Sequence, residues 1–316
     1  MTILDDRRPN RPLNRRREYL SRIALSGFVP LFLLTGLPGC RPGGGPGGPS
    51  VPEKSATSTE DMASARKLFV TKLRVREAAP QNYQNHRPPL GVEQVEYTSG
   101  DLRLKGWLSK DAGDGKKRPA VVFLHGGWAF DSSDWKDAEP FAKAGFVLFM
   151  PMLRGENGNP GIHEAFLGEV DDAIAAGRFV SLLANVDGDN VFVAGHSVGG
   201  VLTCLVTMLP SLYKAAAALD GYVDMESWTA RSPVPYDRNE RQEVRMRNPM
   251  AFVASIRCPL RLYAGDGALQ VNALLAAKAR QAGKTCELVV VRGGHQEMVA
   301  PAVQKTIAWF HEQSTY

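Results

Sequence analysis

The chain has 316 residues, 44% of them hydrophobic and 22% charged, which suits one large α/β domain or two small ones and excludes a disordered chain. Its formal net charge is +5, but residues 1–39 hold seven Arg against three acids and so carry +4 of it. The remainder has no basic stripe, which argues against a nucleic-acid partner, and no His, Cys and carboxylate spacing matches a metal site.

Residues 1–39 read as an export signal. A basic segment, Arg15-Arg16-Arg17-Glu18-Tyr19-Leu20, precedes an apolar run from Ile23 to Leu37 that contains Pro30. A membrane span needs about 20 residues, so this shorter run fits a cleavable signal. Arg16-Arg17-x-Tyr19-Leu20 resembles a twin-arginine motif, with an ordinary secretory signal as the alternative. Leu37-Pro38-Gly39-Cys40 closes the run like a bacterial lipobox, so Cys40 is expected to carry lipid and hold the protein to a membrane of the bacterial cell envelope. Residues 40–59 are rich in Gly and Pro, cannot build a core, and read as a tether.

Residues 60–91 form a lead-in: helical character to Val75, then a polar, Pro-containing stretch. The regular pattern spans 92–316. Val92–Thr98 and Leu102–Ser109 alternate as a hairpin about Ser99-Gly100-Asp101. Pro119–Leu124 is a continuous apolar run, as expected of a strand covered on both faces. Strands at 146–150, 190–194, 215–219, 260–264 and 287–291 then alternate with helices near 138–144, 164–183, 198–208, 271–282 and 302–313. Such alternation predicts an α/β fold, a mostly parallel sheet with helices on both faces. Residues 221–257 break the rhythm and read as a short insertion or cap. Cys258 and Cys286 each precede a strand; if those strands are parallel neighbours, a Cys258–Cys286 disulfide is expected, with two buried thiols as the alternative. Cys204 falls on an apolar helix face and reads as packing.

Three motifs carry chemistry. Gly195-His196-Ser197-Val198-Gly199 is a G-x-S-x-G elbow between an apolar strand and a helix, the setting in which a serine becomes an exposed nucleophile. His125-Gly126-Gly127-Trp128 follows the third strand, where a backbone N–H of Gly127 or Trp128 joins that of Val198 in an oxyanion hole. His295, in Arg292-Gly-Gly-His295 between the last strand and last helix, stands where a general base belongs. Asp266 is the sole carboxylate between the strand at 260–264 and the next helix, and so the default partner of His295. Asp220 is the alternative, with Asp224 and Glu297 more remote. The glycine loop at 155–161 matches no nucleotide fingerprint and reads as a turn.

These stretches, with Val186–Gly200 and Pro259-Leu-Arg-Leu-Tyr-Ala-Gly265, make residues 90–314 resemble the prolyl oligopeptidase and dienelactone hydrolase-like branch of the α/β-hydrolases. The resemblance implies an α/β-hydrolase fold and a Ser-His-Asp hydrolase without cofactor, acting on a small ester or short peptide. Two departures stand out. Ala268 occupies the position where the family usually places its acid, and the chain has no room for the propeller that limits prolyl oligopeptidases to short peptides. An ester substrate is the expectation, a prolyl oligopeptidase-type peptidase the first alternative. A non-catalytic binding module on the same fold is the second, motivated by Ala268.

Overall fold

The computed structural model describes residues 60–314; the expected export signal, Cys40 and the tether lie outside the described residues. One sheet contains β1 (Val92–Ser99), β2 (Leu102–Ser109), β3 (Arg118–Leu124), β4 (Val147–Pro151), β5 (Val186–His196), β6 (Ala216–Leu219), β7 (Leu260–Ala264) and β8 (Cys286–Val290). Their spatial order is β1-β2-β4-β3-β5-β6-β7-β8. The hairpin β1–β2 and the β2–β4 pair are antiparallel, and every pairing from β4–β3 to β7–β8 is parallel.

The apolar runs of the central strands follow from this placement. Successive side chains point to opposite faces, and both faces are covered. Val122, Leu124, Val193, Ala216, Ala218 and Leu262 meet one apolar cluster, which includes Val170, Leu205 and Leu275 of the helices α3 (Gly168–Ser181), α4 (Val198–Thr207) and α7 (Leu269–Gln281). Val121, Phe123, Phe192, Ala217, Leu219 and Tyr263 meet the other, with Trp135 and Phe141 of α2 (Ser132–Lys143) and Phe310 of α8 (Val299–Gln313). Phe192 and Phe310 stack with centroids 4.5 Å apart, locking α8 onto the second face. No helix among the described residues is long and apolar enough to cross a membrane.

The lead-in and the insertion pack together. The lead-in opens with α1 (Met62–Leu68) and continues extended; the insertion holds α5 (Met225–Thr229), α6 (Arg241–Arg245) and two 3₁₀ turns. Leu73 bridges to Tyr236, and the N–H groups of Arg74 and Val75 donate to the Pro235 carbonyl at 2.7 and 3.0 Å. Beneath them the buried Arg247 bonds Glu243 at 2.6 Å, and Glu243 also accepts from the Thr71 hydroxyl and the Lys72 N–H. A buried charge of this kind is tolerated because a partner and further hydrogen bonds satisfy it.

The expected Cys258–Cys286 disulfide is corrected: Cys204, Cys258 and Cys286 are all free. The strands are indeed neighbours, but Cys286 stands opposite Leu260, two residues beyond Cys258. At about 3.3 Å per residue along a strand and about 4.8 Å between strands, that offset places the Cα atoms roughly 8 Å apart, beyond disulfide reach.

Candidate active site

Six parallel strands end at one edge of the sheet, and the loops that follow five of them carry the candidate nucleophile, base, acids and oxyanion donors. This edge is where ligands bind in open α/β sheets. At the end of β5 the chain must pass straight into α4, and it does so through Ser197 at φ 57° and ψ −114°. A non-glycine residue in the left-handed region is strained and persists only where its surroundings hold it. Here the Ser197 N–H is tied to the Leu219 carbonyl at 2.9 Å and the Gly199 N–H to that of His125 at 3.1 Å. The flanking glycines are required by collision: a Cβ on Gly195 would lie 2.4 Å from the Gly199 carbonyl oxygen, and one on Gly199 2.0 Å from that of Leu124. Ser197 itself is partly exposed at the head of the helix.

His295 lies across the sheet edge from the elbow. His196 secures its loop, with Nε2–H donating to the His295 carbonyl at 3.0 Å and the two rings 4.6 Å apart. The Nδ1 of His295 faces Asp220 Oδ2 at 2.6 Å. Asp220 is buried, stands at φ 49° directly after β6, and takes the Gly265 N–H on its other oxygen at 2.8 Å. Asp266, the default expectation, is not the partner of His295. Its own N–H donates to the Gly293 carbonyl at 3.2 Å, and the residue is exposed to solvent. The correction has a structural reason. Register sets Leu219 beside Tyr263, so Asp220 turns inward between the two strand ends, whereas Asp266 has already passed the edge. Ala268, at the family's usual acid position, is buried at the start of α7. Asp224, one of the remote options, is occupied in capping α5 through Ser227.

The His-Gly-Gly loop lies against the elbow: a Cβ on Gly126 would fall 3.6 Å from that of Ser197. His125 is buried beneath it, with Nε2 2.9 Å from Glu156 Oε2 and Nδ1 3.2 Å from the Gly126 carbonyl. Burial works against a charge on His125, but the Glu156 carboxylate outweighs it and raises the imidazole to about 9. Both ring nitrogens therefore act as donors, which fits the two acceptors they face. Of the two donors expected for an oxyanion, Trp128 is committed elsewhere, its N–H taken by the side-chain carbonyl of Gln81 at 2.9 Å. Among the described residues no acceptor is recorded for the Gly127 N–H. Val198 opens α4, so its N–H has no partner within the helix. Sequence reasoning did not find Glu156 or Gln81. Glu156 sat in a loop read only as a turn, and nothing local to Gln81 announces its contact. Among the described residues no cluster of His, Cys, Asp and Glu is arranged to hold a metal.

The sheet order, the strained serine elbow and the His–Asp pair at the strand ends define the α/β-hydrolase fold. A model of the prolyl oligopeptidase family matches residues 132–313. That is more than half of the chain, and the chain belongs to this family; it is a serine hydrolase, an esterase or a peptidase. It is 29% identical over 220 residues to the uncharacterized peptidase YtmA of Bacillus subtilis, covering 60% of this chain and 80% of YtmA. The acylaminoacyl peptidase of Pyrococcus horikoshii superposes with a TM-score of 0.58 at 20% identity, over 70% of this chain. The match spans only 41% of that larger enzyme. Est2, a thermophilic esterase of Thermogutta terrifontis, superposes with a TM-score of 0.56 at 24% identity, over 71% of this chain and 91% of its own.

Proposed function

We propose that Ser197, His295 and Asp220 act as nucleophile, general base and orienting acid in the hydrolysis of a small carboxylic ester. The observation that carries this reading is the 2.6 Å bond from His295 to a buried carboxylate, at the sheet edge that bears the strained Ser197. An ionised carboxylate only accepts, so Nδ1 of His295 carries the proton and Nε2 keeps a lone pair for the serine. Ser197 Oγ attacks the acyl carbonyl and His295 Nε2 takes its proton. The resulting oxyanion rests on the N–H groups of Gly127 and Val198, the imidazolium returns the proton to the leaving alcohol, and water resolves the acyl-enzyme by the same route. Gly265, by holding the second oxygen of Asp220, keeps that carboxylate from rotating away.

A short acyl group is the first substrate to try, since Est2, which shares the fold, has been solved with propionate and with butyrate bound. A short peptide is the second reading, favoured by the peptidase relative in Bacillus. The deciding experiment is fluorophosphonate labelling beside a Ser197→Ala control, followed by p-nitrophenyl butyrate and acyl-aminoacyl anilides as substrates. Labelling that disappears in the control, with ester turnover well above anilide turnover, is expected. Labelling that survives Ser197→Ala would refute the assignment.

The chain order of basic segment, apolar run, Cys40 and Gly/Pro tether supports a second element of the reading. The enzyme is exported and held at the bacterial cell envelope by lipid on Cys40. Incorporation of a palmitate analogue that is lost in Cys40→Ala is the expected result. A fully soluble, unlabelled wild type would refute it.

A further inference from the structure

The geometry points to Gln81 as a positioning residue for the oxyanion loop, clamping its Gly127–Trp128 peptide from the lead-in. This rests on the proposed acyl transfer and deepens it. A hole for a developing oxyanion works only if its donors are already aimed when charge appears. Gly126 and Gly127 are consecutive glycines, the residues with the widest backbone freedom and the most to lose on being fixed. Gly127 stands at φ 73°, so something outside the loop must hold it.

On the upstream side the hold is clear. His125 is pinned by Glu156, and its carbonyl receives the Gly199 N–H of the elbow. On the downstream side the Trp128 indole is buried, meeting His163, Phe166 and Trp228 edge-on at centroid distances of 4.4, 4.9 and 6.3 Å. That fixes a side chain but leaves the peptide plane free to turn. Gln81 removes this freedom. Its Oε1 accepts the Trp128 N–H at 2.9 Å, and its amide lies so close over Gly127 that an added Cβ would sit 2.4 Å from Oε1. With one neighbouring N–H committed to Gln81, the Gly127 N–H is the donor left for substrate.

Gln81 is itself held in place. The Ala79 N–H donates to the Gly155 carbonyl at 3.0 Å, and the Glu77 carbonyl accepts the His163 N–H at 3.0 Å. The segment thus runs along the glycine loop, where a Cβ on Gly155 would press to 3.2 Å from the Ala79 nitrogen. Upstream it is bound to the insertion through the Arg74 and Val75 bonds to Pro235. A stretch with no helix or strand of its own therefore spans three separate loops and ends its reach on the Trp128 N–H, one residue beyond the oxyanion donor.

Gln81→Met tests this, because it keeps length and volume while deleting the acceptor; Gln81→Ala deletes both. Losing an oxyanion donor outright costs about 10²–10³ in kcat, so loosening one is expected to cost roughly tenfold, with KM within about twofold. The Ki of an alkyl boronate, whose adduct with Ser197 places an oxygen in the hole, should rise by the same factor. The fraction of molecules titrated by fluorophosphonate should stay at the wild-type level. In the wild type, hydrogen exchange should show the Trp128 amide protected. A folded Gln81→Met with wild-type kcat and boronate Ki overturns the proposal. So does a kcat loss matched by a loss of titratable serine, which marks a merely structural role. Should both variants fail to fold, a Trp128 amide exchanging as fast as an open loop overturns it. Absence of Ser197-dependent turnover in the wild type would instead refute the acyl-transfer reading itself.

Discussion

The loops that follow β6 and β7 lie side by side, and each presents an aspartate within two residues of its strand. Asp220 has one oxygen on His295 and the other on the Gly265 N–H; Asp266 faces water and uses only its backbone. Proximity in the fold therefore does not make a carboxylate useful. What separates the two is burial together with donors for both oxygens, the conditions under which an ion can be kept away from solvent. The loops are also linked: Asn272 Nδ2–H donates to the carbonyls of Gly221 and Ala268, at 2.9 Å each, and so joins the residue after Asp220 to the start of α7.

The sharpest break in this comparison is Asp220→Ala, which should lower kcat for an ester by about 10⁴, equivalent to roughly 5 kcal/mol of transition-state stabilisation. Steady-state kinetics checks it on a variant that still unfolds cooperatively, with some loss of Tm expected from the unpaired Gly265 N–H. Next comes the ion pair beneath the oxyanion loop. The His125 pKa is raised from 6.5 to about 9 in the folded protein, so the stabilisation is complete below about pH 6.5 and is lost as pH rises through about 9. It amounts to roughly 3 kcal/mol. Glu156→Gln should flatten the fall in Tm across that window, a comparison made by calorimetry at pH 6 and pH 9.5. Asn272→Ala should cost about 1–2 kcal/mol of stability in urea unfolding, because two carbonyls lose a buried donor. Smallest of all, Asp266→Ala should leave kcat/KM within about twofold. A loss of a hundredfold there would return the acid's role to the loop after β7.

The sheet and the elbow were legible in the sequence because the forces that shape them act locally. A strand covered on both faces must read as an unbroken apolar run, and β3 does from Pro119 onward. The glycines about Ser197 are imposed by backbone a few residues away, so motif and cause share one short segment. The acid was less legible. Whether Asp220 or Asp266 meets His295 depends on the lateral register of β6 against β7 and on a backbone turn to φ 49°, neither of which is written in the spacing. The family pattern pointed past Asp220 to a position this chain fills with Ala268. Gln81 was not legible at all, since its bond to Trp128 closes a loop of 47 residues and depends on where the lead-in runs. Glu156 illustrates the same limit: its partner is 31 residues away.

The free thiols of Cys204, Cys258 and Cys286 have a consequence for the conditions the folded domain tolerates. Burial pushes the Cys204 thiol well up, and those of Cys258 and Cys286 up to about 12. At neutral pH almost none is thiolate, the form that reacts with oxidants and disulfides. Neither reductant nor glutathione disulfide should therefore alter the activity of the folded domain.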